Sequence, residues 1–141
     1  MKKLQGEEIK LLIPQRYPMM MVDEFESGED DSATTTLSVR TDNMFCYGSG
    51  EMAPTGLIEH IAQSMSCLAG FKALEANVSE PPVGIIGEVK HFTCSRYPRA
   101  NEKISTTVRF TMTFGNVTIA EGKSHIGEEL IAEAKMKIFI E

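Results

Sequence analysis

The chain has 141 residues, 42% of them hydrophobic and 24% charged, an ordinary globular composition with enough length to bury one domain core. A net charge of −6 and a pI of about 5.1 argue against nucleic acid or an anionic membrane as the main partner. No apolar run reaches the roughly 18 residues of a membrane span, and Glu7, Glu8 and Lys10 interrupt any signal-peptide core, so one cytoplasmic domain over residues 1–141 is expected.

In chain order, residues 6–13 (GEEIKLLI) predict a short helix with acids in its first turn, stopped by Pro14. QRYP then makes an extended, Pro-flanked corner. Residues 19–27 read as a strand, GEDD as a turn, and the β-branched run 32–40 as a second strand. A loop with Gly48, Gly50 and Pro54 occupies 41–54 and leads into a long helix over about 55–76. SEPP (79–82) is a linker, after which strands are predicted at 82–94, 102–114, 116–126 and 130–140, with Gly115-Asn116 as a tight hairpin turn. Two strands, one long helix and four strands make an α+β chain with an antiparallel sheet.

The helix TGLIEHIAQSMSCLAG (55–70) is apolar or small on nearly every side. Such a helix is buried on most sides, and one curved sheet wrapped around it would do this. Glu59 is the discordant residue. A carboxylate in apolar surroundings either pairs with a base or takes up a proton, and a carboxyl poised between states is what a general acid needs. The alternative is a Glu59 that reaches the helix edge and pairs with Lys or Arg. Gln63, four residues on, shares its face; His60 is turned about 100° away.

Three cysteines (Cys46, Cys67, Cys94) without paired spacing predict neither disulfide framework nor zinc site. No P-loop, GxGxxG or HExxH is present, so neither metal nor cofactor is expected. Lys90, Arg96, Arg99 and Lys103 give residues 88–103 a positive bias suited to an acidic partner or to a plain solvated face.

Four blocks, in order, resemble the bacterial 3-hydroxyacyl-[acyl carrier protein] dehydratases, a hotdog-fold family. LLIPQRYPMMMVD (11–23) is similar to their opening, with Pro14, Arg16, Tyr17, Pro18, Val22 and Asp23 in place and Gln15 where the family usually has His. Met52, Ile58, Glu59, Ala62 and Gln63 fit the helix block. Phe92 and Pro98 fit a weaker third block, which departs at Arg99-Ala100-Asn101, and LIAEAKMKI resembles the closing strand. The resemblance implies a long helix in a curled sheet, subunits paired edge to edge, and removal of water from a 3-hydroxyacyl thioester on carrier protein or CoA. It implies that Glu59 is the acid, that Gln63 supports it, and that Gly56 and its neighbours offer backbone N–H groups to the thioester carbonyl. Expected partners are the acyl thioester and further subunits, as a homodimer, a higher hotdog oligomer or a hetero-oligomer.

The family's catalytic histidine is missing. NMFCYGSGEMAPTG (43–56) holds none, and Phe45 and Cys46 stand near its place. His60, His91 and His125 are the only histidines, and Cys46, Tyr47, Ser49 and Glu51 are the other substitutes nearby. The departure leaves three expectations: a dehydratase with a borrowed base, an acyl thioesterase using Glu59 alone, or a non-catalytic acyl-binding subunit. Met19, Met20, Met21 and Met65 are candidates for an acyl-channel lining, against ordinary core filling.

Overall fold

The computed structural model describes residues 2–78 and 80–140, so the predicted linker lies partly outside the described residues at Ser79. Strands β1 (Lys3–Gln5), β2 (Glu24–Ser27), β3 (Ser32–Ser38), β4 (Gly84–Cys94), β5 (Lys103–Phe114), β6 (Val117–Ile126) and β7 (Glu129–Ile140) form one sheet. Their order is β1-β2-β3-β5-β6-β7-β4, antiparallel throughout. Helix α1 (Pro54–Glu75) lies against it, entered through a proline in its first turn, where the missing N–H costs nothing.

Alternation decides which face meets the helix. Ala33, Thr35 and Leu37 on β3, Ile104, Thr106 and Val108 on β5, and Ala132, Ala134, Met136 and Ile138 on β7 are all buried. Small residues set how closely the sheet approaches: a Cβ on Gly122 would lie 2.8 Å from Ile61 Cγ2. Further along the helix, a Cβ on Gly70 would lie 1.9 Å from the Leu12 carbonyl oxygen, so only glycine lets the N-terminal segment cross there. The helix buries residues all round its circumference, from Leu57 and Ile61 to Ser64 and Cys67. This is the hotdog architecture expected from the sequence.

Three local expectations change. The predicted helix at 6–13 is a 3-10 helix over Gly6–Leu11. A three-residue strand, β1, precedes it and was not expected. The predicted strand at 19–27 survives only as Glu24–Ser27. Ahead of it, side chains of the helix, not a neighbouring strand, hold the Met21 backbone, so an apolar run that reads as β pairs with no strand.

The two sheet edges differ. β1 has three residues. β4 has eleven, pairs only with β7, and leaves Ile85 and Ile86 exposed.

Candidate active site

Glu59 and Gln63 stand one turn apart on α1 and line a cleft of about 240 Å³ with Ala62, Ile86, Ile138 and Gln15. Ser66, Gly84 and Ile85 complete its wall, so the cleft lies between the helix and the start of the free edge strand β4. Glu59 is half-buried and Gln63 buried. The Gln63 amide donates to Glu59 Oε2 at 2.7 Å and to the Met19 carbonyl at 2.8 Å, and its oxygen accepts from the Met21 N–H at 2.7 Å. One side chain thus ties the 19–21 segment to the helix and fixes one carboxylate oxygen of Glu59. Among the described residues no Lys or Arg pairs with Glu59. The ion-pair alternative is therefore replaced by an amide that leaves the other carboxylate oxygen without a protein partner.

His60, the next residue, faces the core. Its Nδ1 donates to the Met21 carbonyl at 2.7 Å, and its Nε2 accepts from the Thr106 hydroxyl at 2.8 Å. Thr106 accepts in turn from Ser124 at 2.7 Å. This fixes the neutral tautomer, and burial pushes the pKa down from 6.5 to about 4. Ser64 donates to the His60 carbonyl and accepts from Thr35, both at 2.7 Å, closing the network. His60 is thus a satisfied core residue, turned away from the cleft.

No other histidine reaches the cleft. His91 is exposed, at a positive φ of 52° in an irregular part of β4, and His125 sits between β5 and β7. Cys46, Tyr47, Ser49 and Glu51 belong to a loop that folds back on itself, with Cys46 bridged to Met52 and Glu51 to Arg99. None of them lines the Glu59 cleft, and burial raises the Cys46 thiol pKa. Phe45 packs on the helix start: a Cβ on Gly56 would lie 2.5 Å from Phe45 Cβ. Gly56 lies in the first helical turn, its N–H donating to the Ala53 carbonyl at 2.9 Å.

Other expectations are redrawn. Met21 and Met65 are core, Met20 is half-buried and Met19 exposed, and no methionine lines the cleft. The positive bias of 88–103 is largely neutralised: Arg96 pairs with Glu102 and Glu129, Lys103 with Glu24, and Lys90 with Glu88. Arg96 holds the Glu102 carboxyl below the usual range. Gln15, singled out by sequence only as a departure from the family pattern, proves to be a cleft residue. The cleft walls Ser66, Gly84 and Ile138 carried no local signal, because they meet through the fold.

Comparison with known proteins agrees with this fold. A family model described as ApeP-like, for the ApeP dehydratase, matches residues 7–141. The 3-hydroxyacyl-[acyl-carrier-protein] dehydratase FabZ of Clostridioides difficile is 25% identical over 136 residues, covering 94% of each chain. That of Natranaerobius thermophilus is 29% identical over 132 residues, covering 92% of each. Among solved structures, the dehydratase heterocomplex ApeI:P from Xenorhabdus doucetiae superposes with a TM-score of 0.88 at 13% identity, covering 98% of this chain and 91% of that one.

Proposed function

Because this chain belongs to the ApeP-like dehydratase family, we propose that it acts in the removal of water from a 3-hydroxyacyl thioester, on carrier protein or CoA, with Glu59 as the acid. The single observation that carries the reading is the Glu59–Gln63 pair lining a cleft, with one carboxylate oxygen held by the amide. In the reaction a base takes the α-proton, the electrons of that C–H bond form the C2–C3 double bond, and the C3–O bond breaks. Glu59 delivers a proton to the departing hydroxyl, which leaves as water. Gln63 keeps the carboxyl oriented, and the positive end of the α1 dipole favours the negative charge that develops on the thioester oxygen.

The base comes from another subunit. No histidine or thiol of this chain lines the cleft, and its wall is the open edge strand β4. An eleven-residue edge strand with two exposed isoleucines is a template for pairing with another chain. The cleft, at about 240 Å³, is smaller than the roughly 300–1,000 Å³ of typical small-molecule sites. A subunit docked along β4 would deepen it and bring a base opposite Glu59. The solved structure described as a dehydratase heterocomplex supports a related dehydratase subunit, one that bears a histidine, as the partner; a homodimer would offer the loop residues and the exposed His91 of a second β4.

The test is turnover of a 3-hydroxyacyl carrier protein by the chain alone and mixed with a histidine-bearing dehydratase subunit. Both enoyl product and free thiol are followed, with Glu59→Gln as control. Enoyl formation that needs the mixture and Glu59 supports the reading. Free thiol released by the chain alone, and lost in Glu59→Gln, would make it a thioesterase. Full dehydration by the mixture with Glu59→Gln would leave this chain a non-catalytic partner.

A further inference from the structure

Gln15 is the cleft residue that carries a buried polar atom with nothing bonded to it. Its side-chain oxygen is buried without a partner, the only such side-chain atom among the described residues. Buried polar atoms of folded proteins are nearly always paired, and an orphan calls for an explanation. The backbone that carries it is firmly held. Arg16 donates from Nη1 to the Ile13 and Gln15 carbonyls, both at 2.8 Å, and from Nη2 to the Lys10 carbonyl at 3.3 Å. The Met19 N–H bonds back to the Arg16 carbonyl at 2.8 Å, and Gln63 holds the Met19 carbonyl from the helix. The corner is therefore anchored on both sides of Gln15, and the unpaired oxygen is not a by-product of a loose loop. Its side chain shares a cleft with Glu59.

We propose that Gln15 is a positioning residue whose side-chain oxygen accepts a hydrogen bond from the 3-hydroxyl of the bound acyl group, turning a lone pair of that hydroxyl toward Glu59. This rests on the dehydratase reading of the cleft. The chemistry fits the orphan. A hydroxyl has one proton to donate and lone pairs to offer, and an acid that protonates it needs a lone pair. An acceptor on the other side takes the hydroxyl proton and leaves the lone pairs free. As the C3–O bond breaks with proton transfer from Glu59, the departing group becomes a better donor, so the bond to Gln15 strengthens toward the transition state. A saturated acyl chain has no such donor and leaves the orphan unpaired, which makes Gln15 a discriminator of the substrate's oxidation level.

The test compares a 3-hydroxyoctanoyl and an octanoyl pantetheine thioester, titrated calorimetrically into the full protein with Glu59→Gln to halt turnover, with and without Gln15→Met. Methionine keeps the length and roughly the volume of glutamine and removes the acceptor. The expectation is about tenfold tighter binding of the hydroxylated ligand with Gln15, and equal binding of the two with Gln15→Met, the octanoyl affinity unchanged. That unchanged affinity shows that the variant is folded. Equal weakening of both ligands would place Gln15 against the shared pantetheine arm or in the cleft's architecture and overturn the proposal. An undiminished preference would overturn it too. Failure of both thioesters to bind before Gln15 is changed, to this chain alone and to its mixture with a histidine-bearing dehydratase subunit, would defeat the acyl-site reading itself, and this proposal with it.

Discussion

Glu59 and His60 are neighbours on one helix, and they belong to regions whose polar groups are completed to different degrees. Around His60 every partner is accounted for: the Met21 carbonyl, Thr106, Ser124, Ser64 and Thr35 form a closed chain in the dry core. Around Glu59 the accounting stays open, with one carboxylate oxygen bound by Gln63 and the Gln15 oxygen unpaired. A rotation of about 100° between successive helical residues puts one side chain into the sheet and the other into a cleft at the sheet's free edge. Complete satisfaction marks a polar group that specifies the fold, and residual hydrogen-bonding capacity marks one available to a ligand.

The sharpest way to break this contrast is to mutate both residues and read both activity and stability. Glu59→Gln keeps the shape and an acceptor for Gln63. It should cost less than about 1 kcal/mol of stability while lowering dehydration by about 10²–10⁴-fold in the complete assembly. His60→Ala should do the reverse. It opens a cavity and strands the Met21 carbonyl and the Thr106 hydroxyl, so denaturant unfolding should show a loss of about 3–5 kcal/mol. A stable, inactive His60→Ala protein would mean that His60 acts in the site after all.

A pH titration probes the closed network alone. Burial holds the folded pKa of His60 at about 4, against 6.5 for the free side chain. Above pH 6.5 the residue is neutral in both states and costs nothing. As pH falls from 6.5 toward 4 the unfolded chain binds the proton first, and stability drops by about 3 kcal/mol before levelling off. Carboxylates such as Glu24 and Glu102, whose pKa values are lowered by their partners, also weaken the fold in acid. The diagnostic is therefore the difference from His60→Gln, which lacks the imidazole titration in that window.

Gln63 joins the two regions, so its loss should be intermediate in both readouts. Gln63→Leu strands the Met21 N–H and the Met19 carbonyl and frees Glu59. The expected results are about 1–3 kcal/mol of destabilisation and a fall in kcat larger than the change in KM, since orientation of Glu59 and not binding is disturbed. An activity loss without any change in stability would show that the 19–21 segment does not depend on this side chain.

These outcomes also measure how far sequence alone reaches. The wrapped helix was legible because α1 is apolar around its whole circumference and the strands alternate in period two, patterns that demand burial on specific faces. Glu59 was legible as an apolar helix's exception. The cleft that gives it meaning was not, because Gly84, Ile86 and Ile138 reach it from strands far along the chain. The Met19–Met21 segment misread as strand for a related reason: its backbone partners are helix side chains some forty residues away, and composition cannot distinguish those from a neighbouring strand. His60 lies beside Glu59 in sequence, and only its partners settle which side of the helix it serves.

The smallest expected effect concerns the loop over 43–53 that leads into α1. Cys46 is half-buried, bridged to Met52, and its thiol pKa is raised by burial, so at neutral pH it holds its proton and is a poor base. Cys46→Ser should leave dehydration by the mixed assembly within about twofold of the unmodified protein, and alkylation of Cys46 at pH 7 should be slow compared with a free thiol. The comparison with the homomeric protein is the informative one. If the chain alone dehydrates and Cys46→Ser abolishes that activity, the loop of one copy serves the cleft of another across β4. The base would then be intrinsic to the homomer. If the chain alone is silent and the mixture indifferent to Cys46, the loop has kept its structural role at the helix start and given up the chemistry to a partner.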